Sequence, residues 1–259
     1  MLKRILLAML LLSAALGAHA ADYSDAWWTP PESGWGLFLV QNDNFIFATF
    51  YVYGPNNQPI WYTGQLTSNG TGSYTGGLYV TTGTYLGTVP YDPAQFGITQ
   101  VGTATFTPTA ADTGVLSYNV GSVTVTKNIE RFTFTGIALG APYVGGQSGA
   151  YASCADSSGN GSYLDKYTLS IAHSAGVATF TFNYDLAGAT CTMSGTLEQR
   201  GQLYRIPSAT YQCTGGLTYS TTASMYEIKA TALGIEGRFA ANLSGGCQEN
   251  AQFSAVLLN

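Results

Sequence analysis

From residue 34 onward the chain is a succession of short apolar runs, each cut off by a cluster of Gly, Asn, Pro, Asp or Ser. That punctuation leaves room for strands but not for helices of three turns. Gly34–Gln41, the turn Asn42-Asp43-Asn44 and Phe45–Tyr53 read as a hairpin. Gly54-Pro55-Asn56-Asn57 is the next turn, before a third strand over Gln58–Leu66, and Asn69-Gly70-Thr71-Gly72 precedes Ser73–Thr81. Val101–Thr107, Val115–Val120, Val123–Lys127 and Ile129–Phe134 complete a set of about eight strands, with 83–100 as a longer loop.

The second half repeats the style. Ala150–Cys154, Lys166–Ala172, Val177–Tyr184, Ala189–Glu198, Leu203–Cys213, Leu217–Lys229, Gly234–Leu243 and Cys247–Leu257 read as strands. Between the halves, 138–149 is rich in Gly, Ala and Pro and reads as a linker. The expectation is therefore an all-β protein of two consecutive antiparallel meander units: a Trp-rich domain over 21–137 and a Cys-bearing domain over 150–259. Short sequential connections favour about eight-stranded up-and-down barrels, because closure leaves no unpaired edge. A sandwich is the alternative.

Residues 1–20 read as a signal peptide. Lys3 and Arg4 form the charged start, Ile5–Leu16 the apolar core, and Ala18-His19-Ala20 the small-x-small cleavage pattern. The apolar run is short for a transmembrane span, and no second one follows. A mature chain beginning at Ala21, secreted or periplasmic and without a transmembrane segment after cleavage, is the expectation.

The four cysteines, Cys154, Cys191, Cys213 and Cys247, all lie in the second half, and an even number in an exported chain points to disulfides. Cys191 and Cys213 are symmetric about residue 202, beside the turn signal Arg200-Gly201-Gln202, so a hairpin sets them opposite each other. Cys154 and Cys247 fall on the first and last strands of the unit, which a barrel brings together. No CxxC pair and too few histidines make a metal site a poor reading, and no cofactor is expected.

Charged residues are 9% of the chain and the net charge is −5, which removal of Lys3 and Arg4 makes more negative. Nucleic acid is disfavoured as a partner, since it needs clustered cations. The mature chain keeps one histidine, His173, in a predicted turn, which argues against a Ser-His-Asp hydrolase. Carboxylates remain as the only acid–base device. Glu32 lies among tryptophans, which would raise its pKa, but nothing in the spacing selects a second carboxylate from Asp25, Asp43, Glu130, Glu227 and Glu236.

Aromatic residues carry more information. Trp27, Trp28 and Trp35 crowd one Pro- and Gly-punctuated segment, Trp27–Gly36. In Phe45–Tyr53 one face holds Ile46, Ala48, Phe50 and Val52, and the other Phe45, Phe47, Thr49, Tyr51 and Tyr53. A half-buried strand normally has a polar side, so the second apolar face implies two-sided packing or a binding surface. Trp61 and Tyr62 on the following strand point to opposite faces. The binding candidates are Trp27, Trp28, Glu32, Trp35, Tyr51, Tyr53, Trp61 and Tyr62, and the four tryptophans are expected to cluster around Pro30-Pro31.

The pattern Trp27-Trp28-x-Pro30-x-Glu32-Ser33-Gly34-Trp35-Gly36, followed by Phe47-Ala48-Thr49-Phe50, Tyr53 and Pro59-Ile60-Trp61-Tyr62, resembles a β-rich module of exported proteobacterial proteins. Gly102-x-Ala104-x-Phe106 and Lys127-x-Ile129-x-Arg131 are similar to that module's second half, and the Cys-bearing part to the domain that follows it. Thr29 stands where Asn is usual. The resemblance implies a secreted, β-rich envelope protein and brings no catalytic residue with it. The functional expectation is a non-enzymatic binding or interaction protein for a glycan, a small amphipathic ligand or an envelope protein. The alternatives are a carbohydrate-active enzyme using Glu32 and an outer-membrane β-barrel.

Overall fold

The computed structural model describes residues 21–185 and 187–258, so the expected leader lies outside the described residues. The protein is all-β, with two consecutive antiparallel barrels. In the first, β1 (Asp25–Trp28), β2 (Gly36–Asn42), β3 (Phe45–Tyr53), β4 (Pro59–Ser68), β5 (Tyr74–Thr82), β6 (Gly97–Pro108), β7 (Thr113–Val120) and β8 (Val123–Arg131) pair in sequence order. The ring closes where β1 meets β8, through Trp27 opposite Arg131 and Trp28 opposite Glu130. Closure satisfies the edges that a sandwich would leave open.

Alternation sorts the side chains. Leu37, Leu39, Ile46, Ala48, Phe50, Leu66, Phe106 and Leu116 fill the interior. Trp27 is the plug, 1% exposed, with its ring edge-on to Phe106 and its indole N–H donating to the Tyr23 carbonyl at 3.0 Å. Two expected boundaries change. The Trp-rich segment itself supplies a strand, β1, too short for its alternation to be read. Val123–Lys127 and Ile129–Phe134 are one strand ending at Arg131, because Asn128 stays in the ladder opposite Val115.

The second barrel comprises β9 (Pro142–Ala152), β10 (Gly161–Ser174), β11 (Val177–Tyr184), β12 (Ala189–Thr196), β13 (Glu198–Arg200), β14 (Leu203–Gly215), β15 (Tyr219–Ala230), β16 (Gly234–Asn242) and β17 (Gln248–Leu257). Its wall has eight strands, with β13 a short continuation of β12; β17 pairs with β9, and β12 with β14. The expected linker 138–149 is largely strand, since β9 begins at Pro142. Its glycines are packing residues rather than hinges: a Cβ on Gly149 would stand 2.4 Å from the Tyr163 ring.

Disulfides join Cys154 to Cys247 and Cys191 to Cys213. Cys191 and Cys213 are cross-strand partners on β12 and β14. Cys154 and Cys247 sit just past β9 and just before β17, one residue or two outside the strands. Such bonds belong to a non-reducing environment. Among the described residues no helix is long and apolar enough to cross a membrane.

The barrels meet over a buried ion pair. Arg131 Nη1 lies 3.0 Å from Asp25 Oδ2, and its other nitrogens donate to the carbonyls of Ala111 and Asp22. The β13–β14 turn of the second barrel caps this pair: Gln202 N–H donates to Asp25 Oδ2 at 3.1 Å and Gly201 N–H to Thr133 Oγ1 at 2.9 Å. Arg205 reaches Asp112 at 3.2 Å, adding a second bridge between the units.

Candidate functional site

The outer wall of the first barrel is aromatic over β2, β3 and β4. No Asp, Glu, Lys or Arg occurs in these three strands. Their outward phase carries Phe38, Val40, Phe47, Tyr51, Tyr53 and Trp61, and Tyr51, Tyr53 and Trp61 are 50%, 59% and 54% exposed. Register connects them: Val40 stands opposite Phe47, and Tyr51 opposite Trp61.

The band continues past β1. Trp28 packs edge-on to Phe132 at 5.1 Å, Phe132 to Phe134 at 5.0 Å, and Phe134 stacks on Phe38 at 6.3 Å with 10° between the planes. Phe38 meets Tyr51 at 5.8 Å. Six rings from Trp28 to Trp61 thus run in sequence around the wall. Polar side chains share the face: Thr49 is the partner of both Phe38 and Thr63, and Gln65 of Phe47. Over β2–β4 the surface offers flat apolar area, hydroxyls and an amide, and no formal charge; at its Trp28 end Glu130 is the cross-strand neighbour.

The eight sequence candidates therefore divide among three environments. Trp28, Tyr51, Tyr53 and Trp61 belong to the outer band. Trp27 is in the core and unavailable to a ligand. Glu32, Trp35 and Tyr62 sit at the barrel rim, where Trp35 and Tyr62 pack half-buried against the core. The expected tryptophan cluster around Pro30-Pro31 does not form, because Trp27 and Trp28 are successive strand residues and point to opposite sides of the wall.

Glu32 is not the raised-pKa acid that its neighbourhood suggested. Its carboxylate accepts from Lys127 Nζ at 2.6 and 2.8 Å and from the Trp35 indole N–H at 3.0 Å. The Lys127 hydrogen bond holds its pKa below the ordinary carboxylate range, and the Trp35 bond adds to this. Lys127, not the indole, outweighs the desolvation that acts to raise the value. His173 is exposed at the end of β10, beside the Ala175-Gly176 turn.

Sequence reasoning missed Phe38, Phe132 and Phe134, and also a polar cluster inside the second barrel. Glu249 on β17 is 2% exposed. Tyr184 Oη donates to Gln147 Oε1 at 2.8 Å, Gln147 Nε2 to Tyr163 Oη at 3.1 Å, and Tyr163 Oη to Glu249 Oε1. Oε2 of Glu249 has no hydrogen-bond partner. Burial raises the Glu249 pKa; the Tyr163 and Tyr211 hydroxyls pull it back, and Asp165 pushes it up again. Burial and then Glu249 itself push Tyr151 up to about 12, and Tyr163, Tyr184 and Tyr211 rise for the same reasons. These phenols stay protonated, and the Tyr163 hydroxyl both accepts from Gln147 and donates to Glu249. Strand parity was the available signal: Glu249 shares its phase with Ala251, Phe253 and Ala255, all buried.

Among the described residues no three His, Cys, Asp or Glu side chains come together as metal ligands. Comparison of the chain with protein-family models, curated proteins and solved structures gives no match.

Proposed function

We propose that the protein is an exported, non-enzymatic binding protein of the bacterial envelope, and that the outer aromatic band of its first barrel holds a neutral glycan. The observation that carries this reading is the band itself: exposed rings in register on three strands that contain no charged residue. A sugar presents apolar C–H faces that lie flat on such rings and hydroxyls that meet Thr49, Thr63 and Gln65 between them. A charged ligand would find no counter-charge on β2–β4.

The envelope address rests on the leader-like sequence 1–20, the resemblance to exported modules and the two disulfides. Glu32, ionised and held by Lys127 and Trp35, lends no support to acid catalysis. The apolar interior of the first barrel is the reverse of the polar lumen of membrane-spanning barrels.

The test is a binding screen of the mature protein against neutral and charged polysaccharides, with Trp61→Ala and Phe38→Ala alongside. Binding of a neutral glycan that both substitutions weaken supports the reading. Binding confined to charged glycans, or self-association abolished by Trp61→Ala without glycan binding, overturns it.

A further inference from the structure

The β5–β6 hairpin outgrows the wall that carries it. β4 pairs with β5 only as far as Thr63 opposite Tyr79, and β7 pairs with β6 only as far as Val120 opposite Gly102. Beyond those rungs β5 and β6 pair with each other alone, through Val80–Thr99, Thr81–Ile98 and Thr82–Gly97. Residues 80–100 form a free-standing arm. It leaves the end of the first barrel opposite the one that meets the second, since the Arg131–Asp25 end lies at the other termini of the strands.

The arm's tip is apolar. Leu86 is 96% exposed and Val89 91%, and Tyr85, Tyr91, Phe96 and Ile98 are exposed behind them. No charged residue occurs from Thr82 to Tyr91. The first acidic group, Asp92, turns inward on its own loop, accepting from Ala94 N–H at 3.0 Å and Gln95 Nε2 at 3.2 Å. The tip has internal structure: Thr88 N–H donates to the Tyr85 carbonyl at 2.8 Å, and Thr84 Oγ1 to the Asp92 carbonyl across the base.

We propose that this arm is a lipid anchor, which seats the tip of the first barrel in the interfacial zone of a bilayer. Aliphatic side chains lead and amphipathic tyrosines follow, the order that matches the hydrocarbon edge and the headgroup layer above it. The tip is convex, so a fluid phase accommodates it without a preformed recess. The arm carries no cation and its tip, from Thr82 to Tyr91, no charge at all, which fits uncharged or zwitterionic lipid and leaves no electrostatic attraction to lose in salt. Free strand edges on both sides limit the depth, because backbone groups left unpaired there stay at the wet interface rather than in hydrocarbon. The proposal stands independently of the glycan reading, which concerns β2–β4.

Flotation of the mature, disulfide-intact protein with phosphatidylcholine–phosphatidylethanolamine vesicles tests it, using wild type and the double variant Leu86→Asp/Val89→Asp. Both residues are exposed, so the variant keeps the wild-type melting temperature. The expected result is co-flotation of wild type, unchanged in about 0.5 M salt, and vesicle partitioning about tenfold or more weaker in the variant. Wild type that stays soluble, or a variant that floats equally well, overturns the proposal. So does a sedimentation result in which the variant turns an oligomer into a monomer while neither form binds vesicles, which would assign the arm to a second copy of the chain.

Discussion

Gly201 of the second barrel lies so close over Arg131 of the first that a Cβ built on Gly201 would stand 2.4 Å from the Arg131 Cβ and 2.7 Å from Asp25 Oδ2. Its φ of +64° is a second reason for glycine there. The turn caps a buried ion pair from outside its own barrel, so the contact couples the two units. Gly201→Ala should cost about 1–3 kcal/mol through strain and clash. Asp25→Asn should cost more, about 3–5 kcal/mol, because it leaves the Arg131 guanidinium buried without its counter-charge. Urea unfolding followed separately by tryptophan emission, which reports only the first barrel, and by overall circular dichroism checks both. If the turn couples the units, the two probes coincide in wild type and separate in Gly201→Ala.

The Glu249 carboxyl makes a pH prediction. Its folded pKa is raised, so the native state binds that proton more tightly than the unfolded chain does. The contribution is fully present below the unfolded carboxylate value and is lost as pH rises through the folded one. Asp22 and Glu32, whose pKa values are lowered, act in the opposite sense, but both are solvent-exposed enough for screening to blunt them. Glu249→Gln isolates the buried group. At pH 7 the variant should be more stable than wild type, and the gap should close as pH falls toward the unfolded carboxylate value. A difference that is flat across pH would mean Glu249 titrates normally.

Much of the wall was legible because its alternation is strong. Ile46-x-Ala48-x-Phe50 and Phe180-x-Phe182-x-Tyr184 declare both a strand and its inward phase. The symmetry of Cys191 and Cys213 about residue 202 likewise fixed a register that the structure shows. Only the end of β9, from Ala150, was legible; its earlier inward positions include Gly145, Gln147 and Gly149, small or polar residues, of which Gly149 leaves room for the Tyr163 ring and Gln147 binds its hydroxyl. The aromatic band was half legible. Tyr51, Tyr53 and Trp61 follow from parity within single strands, but the link from Trp28 through Phe132, Phe134 and Phe38 depends on ring closure between β1 and β8. The role of Glu32 turned on Lys127, 95 residues away in sequence.

Trp27 and Trp61 should separate stability from binding. Trp27→Ala removes a ring from the core and should cost about 3–5 kcal/mol. Trp61→Ala removes one from the surface and should change stability by roughly 0.5 kcal/mol or less, while weakening glycan binding about tenfold or more. Melting curves and binding isotherms on both variants read the two effects. Equal loss of stability in the two would show that the outer band is structural.

The last prediction concerns the two disulfides, which close loops of different length. Cys154–Cys247 spans 93 residues and Cys191–Cys213 spans 22. In the chain-entropy account the cross-link restricts the unfolded chain more as the loop lengthens, giving about 4–5 kcal/mol for the longer and about 3 kcal/mol for the shorter. Packing acts against that ranking. Cys191 and Cys213 are both 1% exposed in the second barrel's core, so replacing them by Ala also leaves two small voids. Comparing reduction with mutation separates the terms. Reduction of the bond alone, in a variant that keeps only one disulfide, should follow loop length, with the Cys154–Cys247 variant losing about 1 kcal/mol more on reduction. Alanine replacement should narrow or invert the difference. If the shorter bridge proves the costlier to reduce, the residual structure of the unfolded second barrel, rather than loop closure, governs its stability.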